Sequence, residues 1–194
     1  LVAVLRRECP WDREQTHQSL RRHLLEEAYE VLEALDAVDP ETGAGYAHLE
    51  EQLGAPLFQI VLHTTLATEE GQFTLADVAS GIDTKLRVRH PHVFGDVTVG
   101  SAEDVVTNWE QIKKAEKGRA SVFDGIPAAL PALLYALKVQ KKASAIGAES
   151  TAPPADLDGS DEVAVGELLY AVVDTARLGG VDPEQALRLA AHRH

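Results

Sequence analysis

Apolar residues recur at helical spacing through most of the chain. One stripe follows the i, i+4, i+7, i+11 pattern of a helix that packs along one face, and comprises Leu24, Ala28, Val31 and Leu35. A second stripe lies within about 47–69 and comprises Leu53, Leu57, Ile60 and Val61. One short stretch, HVFGDVTV at 92–99, has strand character and predicts an arm or a hairpin. The pattern therefore predicts an all-α chain.

Helix-start signals divide the chain into segments. Thr74 with Asp77, and Ser101 with Asp104, have the form of capping boxes before apolar runs. Near the end, Asp182 is followed by a proline and an acid, which is typical of an N-cap and a first helical turn. The stretch PALLYALKVQKKA is a further amphipathic segment. Each signal predicts a separate helix.

A change in composition predicts two parts. The stretch 147–162, GAESTAPPADLDGSDE, is rich in Gly, Pro, Ser and Asp, and indicates a linker or a surface loop. A hinge is also predicted at RASVFDGIPAALP. We therefore predict a main domain at 1–118, and a hinge with a shorter helical segment at 119–194.

Composition narrows the function classes. The net charge of −13 argues against general affinity for a nucleic acid polymer or an anionic membrane. No apolar run approaches the roughly 18–20 residues that span a bilayer, so a cytoplasmic protein is expected. The single cysteine, Cys9, excludes an intramolecular disulfide framework and a multi-cysteine zinc site.

Three acids lie close together in LLEEAYEVLEAL, at 24–35. Glu26 and Glu30 are one helical turn apart, and Glu27 and Glu30 are also neighbours on a helix. Like charges at these spacings repel one another unless a cation lies between them. Carboxylates of this kind suit Mg²⁺ together with a triphosphate. The alternative is a solvated helix face, because glutamate is a good helix former.

The order of several motifs resembles the MazG family of nucleoside triphosphate pyrophosphohydrolases. The resemblance covers roughly 5–146 and is weaker at 163–193. Its motifs are CPWDREQTHQSL, LLEEAYEVLEAL, LFQIVLHTTLATEEGQFTLADV, DTKLRVRHPHVFGDV, NWEQIKKAEK and SVFDGIPAALPALLYALKVQKKA. CPWD and RHPHVFGD are the most specific of these.

The resemblance implies a fold and a reaction. It implies an all-α pyrophosphatase fold whose four-helix core is completed by a homodimer. The implied substrates are nucleoside triphosphates, hydrolysed to a monophosphate and pyrophosphate with Mg²⁺, and Mn²⁺ as a possible substitute. The family motif E-E-x-x-E matches Glu26, Glu27 and Glu30, which the resemblance implies as metal ligands and catalytic residues.

The second half of the family motif, E-x-x-D, is not matched. Its Glu aligns with Gln52 and its Asp with Ala55, and Pro56 follows. Loss of two carboxylates is expected to weaken Mg²⁺ binding. Pro56 predicts a kink or a helix start near 54–56. A catalytically weakened or inactive relative, acting as a nucleotide-binding or dimerising module, is therefore the alternative to an active hydrolase.

The C-terminal segment resembles the later helices of a second family domain. Its E-E-x-x-E helix is missing, so it is interpreted as a degenerate half-domain that serves packing or dimerisation. Glu167 falls at the position of the motif Asp. It is either a surface acid or a contributor to a composite site.

Other residues are candidates for substrate binding. A basic cluster in DTKLRVRHPH comprises Lys85, Arg87 and Arg89, and would clamp a triphosphate or form surface salt bridges. Trp11 would stack on a base or pack against the core. Both alternatives stay open at this point.

Overall fold

The computed structural model describes residues 1–117, 121–148, 159 and 161–194. They form two compact units, Leu1–Trp109 and Glu110–His194. The predicted boundary at 118 and most of the predicted linker at 147–162 lie outside the described residues. None of the described residues belongs to a β-strand, which confirms the all-α prediction.

The first unit is built from both short and long helices. They are α1 (Val2–Glu8), α2 (Pro10–Glu14), α3 (Arg21–Asp36), α4 (Tyr46–Glu69), α5 (Leu75–Arg89), α6 (Pro91–Phe94) and the first part of α7 (Ala102–Lys117). The capping boxes predicted before α5 and α7 are both present. No helix in the described part of the chain is long and apolar enough to cross a bilayer.

Helices α3 and α4 form the central hairpin of this unit. Gly45 precedes α4 at φ +84°, where a Cβ atom would collide with the carbonyl of Ala37, so glycine allows the chain to turn here. At the other end of the pair, Leu20 is fully buried in a cluster with Leu62 and Leu66. The connection at one end and the cluster at the other make the two helices antiparallel.

The apolar stripe predicted on α3 is not the face that packs within the chain. Leu24 and Leu35 are 40% and 49% exposed, whereas Leu20 and Ala34 are fully buried. Part of the stripe predicted on α4 is also exposed on the single chain, since Leu57 is 61% exposed. Both stripes are amphipathic patterns, but the packed faces of α3 and α4 carry polar residues in their middle turns.

The structure contradicts two local predictions, the helix start near 54–56 and the hairpin at 92–99, while the alternative of a kink at Pro56 stays a prediction. Helix α4 does not begin near residues 54–56, because it runs without interruption through Pro56. Neighbouring turns hold the helix together although Pro56 has no amide hydrogen to donate to the carbonyl of Gln52. The strand-like stretch 92–99 contains the end of α6 and no strand, because Pro91 at the first helical position starts a short helix there.

Arg6 joins three parts of the first unit. Its guanidinium donates to both carboxylate oxygens of Glu69, at 3.2 and 2.6 Å. It also donates to backbone carbonyls in the segment that follows α1, at Asp12, Arg13 and Gln15. The hydrogen bond to Glu69 is the largest influence that raises the pKa of Arg6. Arg6 therefore ties α2 and its following loop to the end of α4.

His17 and His63 form a second tie between this loop and α4. Their Nδ1 atoms are 2.8 Å apart, their ring planes differ by 2°, and their ring centroids are 5.1 Å apart. These values describe nearly coplanar rings joined edge to edge by one N–H···N hydrogen bond. One of the two Nδ1 atoms must therefore carry no hydrogen, so that it can accept this bond.

Acid is expected to destabilise the first unit through this pair. Burial, and then the neighbouring His17, lower the pKa of His63 from its ordinary value of 6.5. The folded state thus favours neutral His63, so its contribution is complete above pH 6.5 and declines as the pH falls through the lower folded pKa. The urea concentration at the midpoint of unfolding, measured at pH values between 8 and 5, should decrease once the pH is lowered below 6.5. A smaller fall is expected in His63→Gln, and equal falls would contradict the assignment.

The second unit contains three further described helices. They are α8 (Ala132–Ser144), α9 (Glu162–Leu178) and α10 (Pro183–His192), which contact one another. The predicted cap Asp182 accepts hydrogen bonds from the first turn of α10. Gln140 is buried and donates to the carbonyl of Tyr170 at 2.7 Å, which links α8 to α9.

Candidate functional site

The three acids of α3 do not share one environment. Successive residues are about 100° apart around a helix, so Glu27 lies between Leu20 and Ala34 on the packed face. Glu27 is half-buried, whereas Glu26 and Glu30 are exposed. Glu30 is about 60° from Glu27 and therefore borders the packed face. Glu26 is farther round the helix.

The packed face of α4 carries the altered motif positions. Gln52 and Ala55 are half-buried, and they share this face with Gln59, which is 4% exposed. Each helix rises about 1.5 Å per residue. Gly45 lies against the carbonyl of Ala37 at the turn, and the antiparallel register that pairs these two residues also pairs Leu20 with Leu62, which share one buried cluster. Glu27, seven residues after Leu20, is therefore level with about residue 55. The two halves of the motif face each other across the α3–α4 contact.

Gln59 leaves a polar atom without a partner beside this contact. Its Oε1 atom is buried and has no hydrogen-bond partner among the residues that the structure describes. A buried acceptor of this kind costs free energy unless a water, an ion or a ligand satisfies it. Gln52 is a second neutral amide on this face, and it stands where the E-x-x-D motif has a glutamate.

Glu26 is held by two side chains of its own helix, Arg22 and His23. Its Oε1 atom accepts a hydrogen bond from Arg22 Nε at 2.6 Å. Its Oε2 atom lies 3.3 Å from His23 Nδ1. The hydrogen bond from Arg22 is the largest influence that lowers the pKa of Glu26. Glu26 is therefore ionised, and the guanidinium of Arg22 compensates its negative charge.

Glu27 and Glu30 remain as the carboxylates suited to a metal ion. No group of three His, Cys, Asp or Glu side chains is arranged around a common point among the described residues. Two carboxylates nevertheless suit Mg²⁺, which commonly binds one or two carboxylates and takes waters and substrate phosphates as its other ligands. Neither Glu27 nor Glu30 has an ion pair within the described part of the chain. The donor set therefore fits one magnesium ion that keeps waters and phosphate oxygens.

Trp11 contacts His23, which is on the same helix as the three acids. It is 50% exposed on α2, and its ring makes an edge contact with His23 at a centroid distance of 5.7 Å. His23 in turn contacts Glu26. Trp11 is therefore not a core residue, and half of its surface is available to a planar ligand beside the acidic turn.

The basic cluster of α5 has local partners. Arg87 donates to Asp83 at 2.9 Å, and its guanidinium carbon lies 4.8 Å from the ring centroid of Phe94. Arg89 is buried at 5% exposure and lies over the ring of Trp109. Lys85 is exposed. No described hydrogen bond or ion pair in residues 1–117 joins these three cations to the acids of α3.

Glu167 is exposed on α9, in the second unit. This exposure agrees with the alternative that Glu167 is a surface acid. The second unit also contains a partly buried ion pair, in which Arg177 Nε donates to Asp174 at 2.7 Å. This pair is three residues apart on one helix and stabilises α9 itself.

Two site residues were missed by the sequence analysis. His23 precedes the acidic turn at i, i+3 from Glu26, a spacing that could have indicated a contact on a helix. Gln59 lies at i+7 from Gln52, which predicts a shared face. Neither residue type signals a functional role at these spacings without the position of Trp11 and α3.

Comparisons with known proteins cover the site. The family model of the MazG nucleotide pyrophosphohydrolase domain matches residues 15–94. An Escherichia coli (strain K12) protein named nucleoside triphosphate pyrophosphohydrolase is 38% identical over 94% of the chain and 76% of its own length. A Thermotoga maritima protein named nucleoside triphosphate pyrophosphohydrolase/pyrophosphatase MazG is 37% identical over 95% and 75%. Uncharacterized protein YabN of Bacillus subtilis is 41% identical over 93% of the chain, which spans only 40% of that longer protein.

Proposed function

Because the chain belongs to the MazG family of nucleotide pyrophosphohydrolases, we propose that it hydrolyses nucleoside triphosphates to nucleoside monophosphates and pyrophosphate. The observation that carries this proposal is the position of Glu27 and Glu30 along the α3–α4 contact, with half-exposed Trp11 beside the same turn. This arrangement offers carboxylates for a metal–triphosphate and an aromatic surface for a base.

The side chains can be given roles in this reaction. Glu27 and Glu30 would hold Mg²⁺, or Mn²⁺ in its place. When bound, the ion would supply neutralisation of the negative charge that develops on the pyrophosphate leaving group. Glu26, ionised and fixed by Arg22, would accept a hydrogen bond from the attacking water and orient it. Trp11 would stack on the base. Lys85 and Arg87, the exposed cations of the α5 cluster, are the proposed triphosphate contacts, whereas the burial of Arg89 over Trp109 argues against a contact there.

The reaction and the bond that is cleaved can be tested together. The protein is incubated with the eight common ribo- and deoxyribonucleoside triphosphates plus Mg²⁺ or Mn²⁺, and the products are separated by anion exchange. We expect monophosphate and pyrophosphate, and no product after EDTA is added. A diphosphate and orthophosphate would contradict the proposal, because they report cleavage at the γ-phosphate.

A second candidate function is nucleotide binding without turnover. Gln52 and Ala55 favour it, since the α4 side of the contact has no ionised oxygen at these two positions. Calorimetry with a non-hydrolysable α,β-methylene triphosphate and Mg²⁺ separates the candidates. Binding without product formation supports this second function, whereas turnover eliminates it.

We further propose that the protein forms a homodimer through an exposed apolar surface of α3 and α4, which includes the exposed members of the two predicted stripes. Extended exposed apolar patches are typical of protein interfaces. The exposed residues are Leu24, Leu25, Tyr29, Leu32 and Leu35 on α3, and Leu53, Leu57 and Ile60 on α4. The net charge of −13 argues against a nucleic acid or an anionic membrane as the partner. No described helix is long and apolar enough to span a bilayer. We also propose a cytoplasmic location.

Charged substitutions in this apolar surface should separate the subunits. Light scattering is expected to give twice the 21.0 kDa of one chain. Leu25→Asp with Leu57→Asp should reduce the mass to that of one chain, because each buries a charge in an apolar interface. Val93→Asp is the matched control, since Val93 is 62% exposed and lies on α6, outside the proposed interface. A dimeric mass for the double variant would place the interface elsewhere.

A further inference from the structure

A continuous chain of side-chain contacts leads from the aromatic surface to the acidic turn. Trp11 is on α2, whereas His23 and Glu26 are on α3. His23 contacts both of the others. It is the only described residue that makes a ring contact with Trp11 and a polar contact with Glu26.

The geometry gives His23 two separate functions. Its ring meets the ring of Trp11 at an interplanar angle of 70°, which is an edge arrangement. Such a contact limits the rotation of the indole and is one of the preferred geometries of aromatic pairs. Its Nδ1 atom lies 3.3 Å from Glu26 Oε2, while Arg22 occupies Oε1. The carboxylate is therefore held at both oxygens.

The two contacts use different parts of the imidazole. The edge contact needs a planar ring at position 23, and any aromatic side chain supplies one. The contact to Glu26 needs a donor at the position of Nδ1, which the amide nitrogen of asparagine supplies. The two functions can therefore be removed one at a time.

We propose that His23 is a positioning residue that fixes the indole of Trp11 for base stacking and the carboxylate of Glu26 for the attacking water. The proposal rests on the proposed function. It makes base recognition and water orientation depend on one side chain. Binding of the base then fixes the indole against the same imidazole that orients the acid.

The experiment uses two substitutions with opposite losses. His23→Asn keeps the donor and loses the ring, so KM should rise about threefold to tenfold while kcat stays within about twofold. His23→Phe keeps the ring and loses the donor, so kcat should fall about tenfold while KM stays within about twofold. Equal changes in both variants, or no change in either, would overturn the proposal. A purely structural role predicts such equal changes.

A binding measurement keeps the test independent of turnover. Trp11 fluorescence, obtained as the difference from Trp11→Phe, is titrated with the α,β-methylene analogue and Mg²⁺. The dissociation constant should rise about threefold to tenfold in His23→Asn and stay unchanged in His23→Phe. This result would support the ring function even if the wild type shows no hydrolysis. Equal dissociation constants in the two variants would overturn it.

His48 supplies the matched control. It has the same i, i+3 relation to a glutamate, since His48 Nδ1 lies 3.9 Å from Glu51, but it is on α4 and has no described aromatic contact. His48→Asn should leave kcat, KM and the fluorescence titration unchanged. A change equal to that of His23→Asn would show that the effect does not depend on Trp11, and would overturn the proposal.

Discussion

Glu27→Gln is expected to lower kcat about a thousandfold. The substitution keeps the size and hydrogen-bonding shape of the side chain, so the packed face of α3 should be preserved. It removes the ionised oxygen at the centre of the α3–α4 contact, where charge compensation of a metal ion is worth several kcal/mol. A barrier higher by about 4 kcal/mol corresponds to a rate about a thousandfold lower. Steady-state kinetics over a Mg²⁺ titration measure this loss.

The control for this substitution is on the same helix. Glu33→Gln makes the same chemical change at an exposed position of α3, so kcat should stay within about twofold. Thermal unfolding of both variants should match that of the wild type in the absence of metal. A Glu27→Gln variant that retains wild-type kcat would remove Glu27 from the reaction and leave the acidic turn as a solvated face.

The sequence predicted the helices better than their packed faces. Spacing alone predicts an apolar stripe through Leu24 and Leu35, but both are exposed on a single chain. The packed face instead passes through Leu20, Glu27 and Ala34, and its middle position is an acid. The apolar stripe gives the strong periodicity of α3, but a periodicity does not state which face of the helix packs within the chain. The position of α4 decides that question.

The acidic motif was predictable, whereas the state of each acid was not. The spacing of Glu26, Glu27 and Glu30 predicts a shared region of one helix. It does not reveal that Arg22 and His23 hold Glu26 on one side while Glu27 faces α4. That difference depends on side-chain direction and on neighbours from another helix. It converts three equivalent candidates into two proposed metal ligands and one proposed water-orienting acid.

Trp11 illustrates the same limit for substrate binding. The sequence left open whether its ring packs inside or faces a base, and the structure leaves it half exposed against His23. Arg89 of the α5 cluster has the opposite environment, because it is buried over the ring of Trp109. Both results come from contacts between segments that are distant in sequence or separated by a turn.

Restoring the missing acids is expected to raise kcat/KM about tenfold to a hundredfold. Gln52→Glu with Ala55→Asp places two ionised oxygens on the packed face of α4, opposite Glu27. They would complete the family motif and compensate more of the charge of Mg²⁺. Calorimetry should show tighter Mg²⁺ binding, and the gain in kcat/KM should follow the gain in metal affinity.

The same double variant should become less stable without metal. Its new carboxylates lie across from Glu27, and like charges repel when no cation separates them. Binding to the folded state alone stabilises a protein, so Mg²⁺ should restore the melting temperature. Ala47→Asp with Gln72→Glu adds the same charges at exposed positions and should change neither metal affinity nor kcat/KM. If the motif variant binds Mg²⁺ no more tightly than this control, residues 52 and 55 do not face Glu27, and the antiparallel register inferred from Leu20 and Leu62 is wrong.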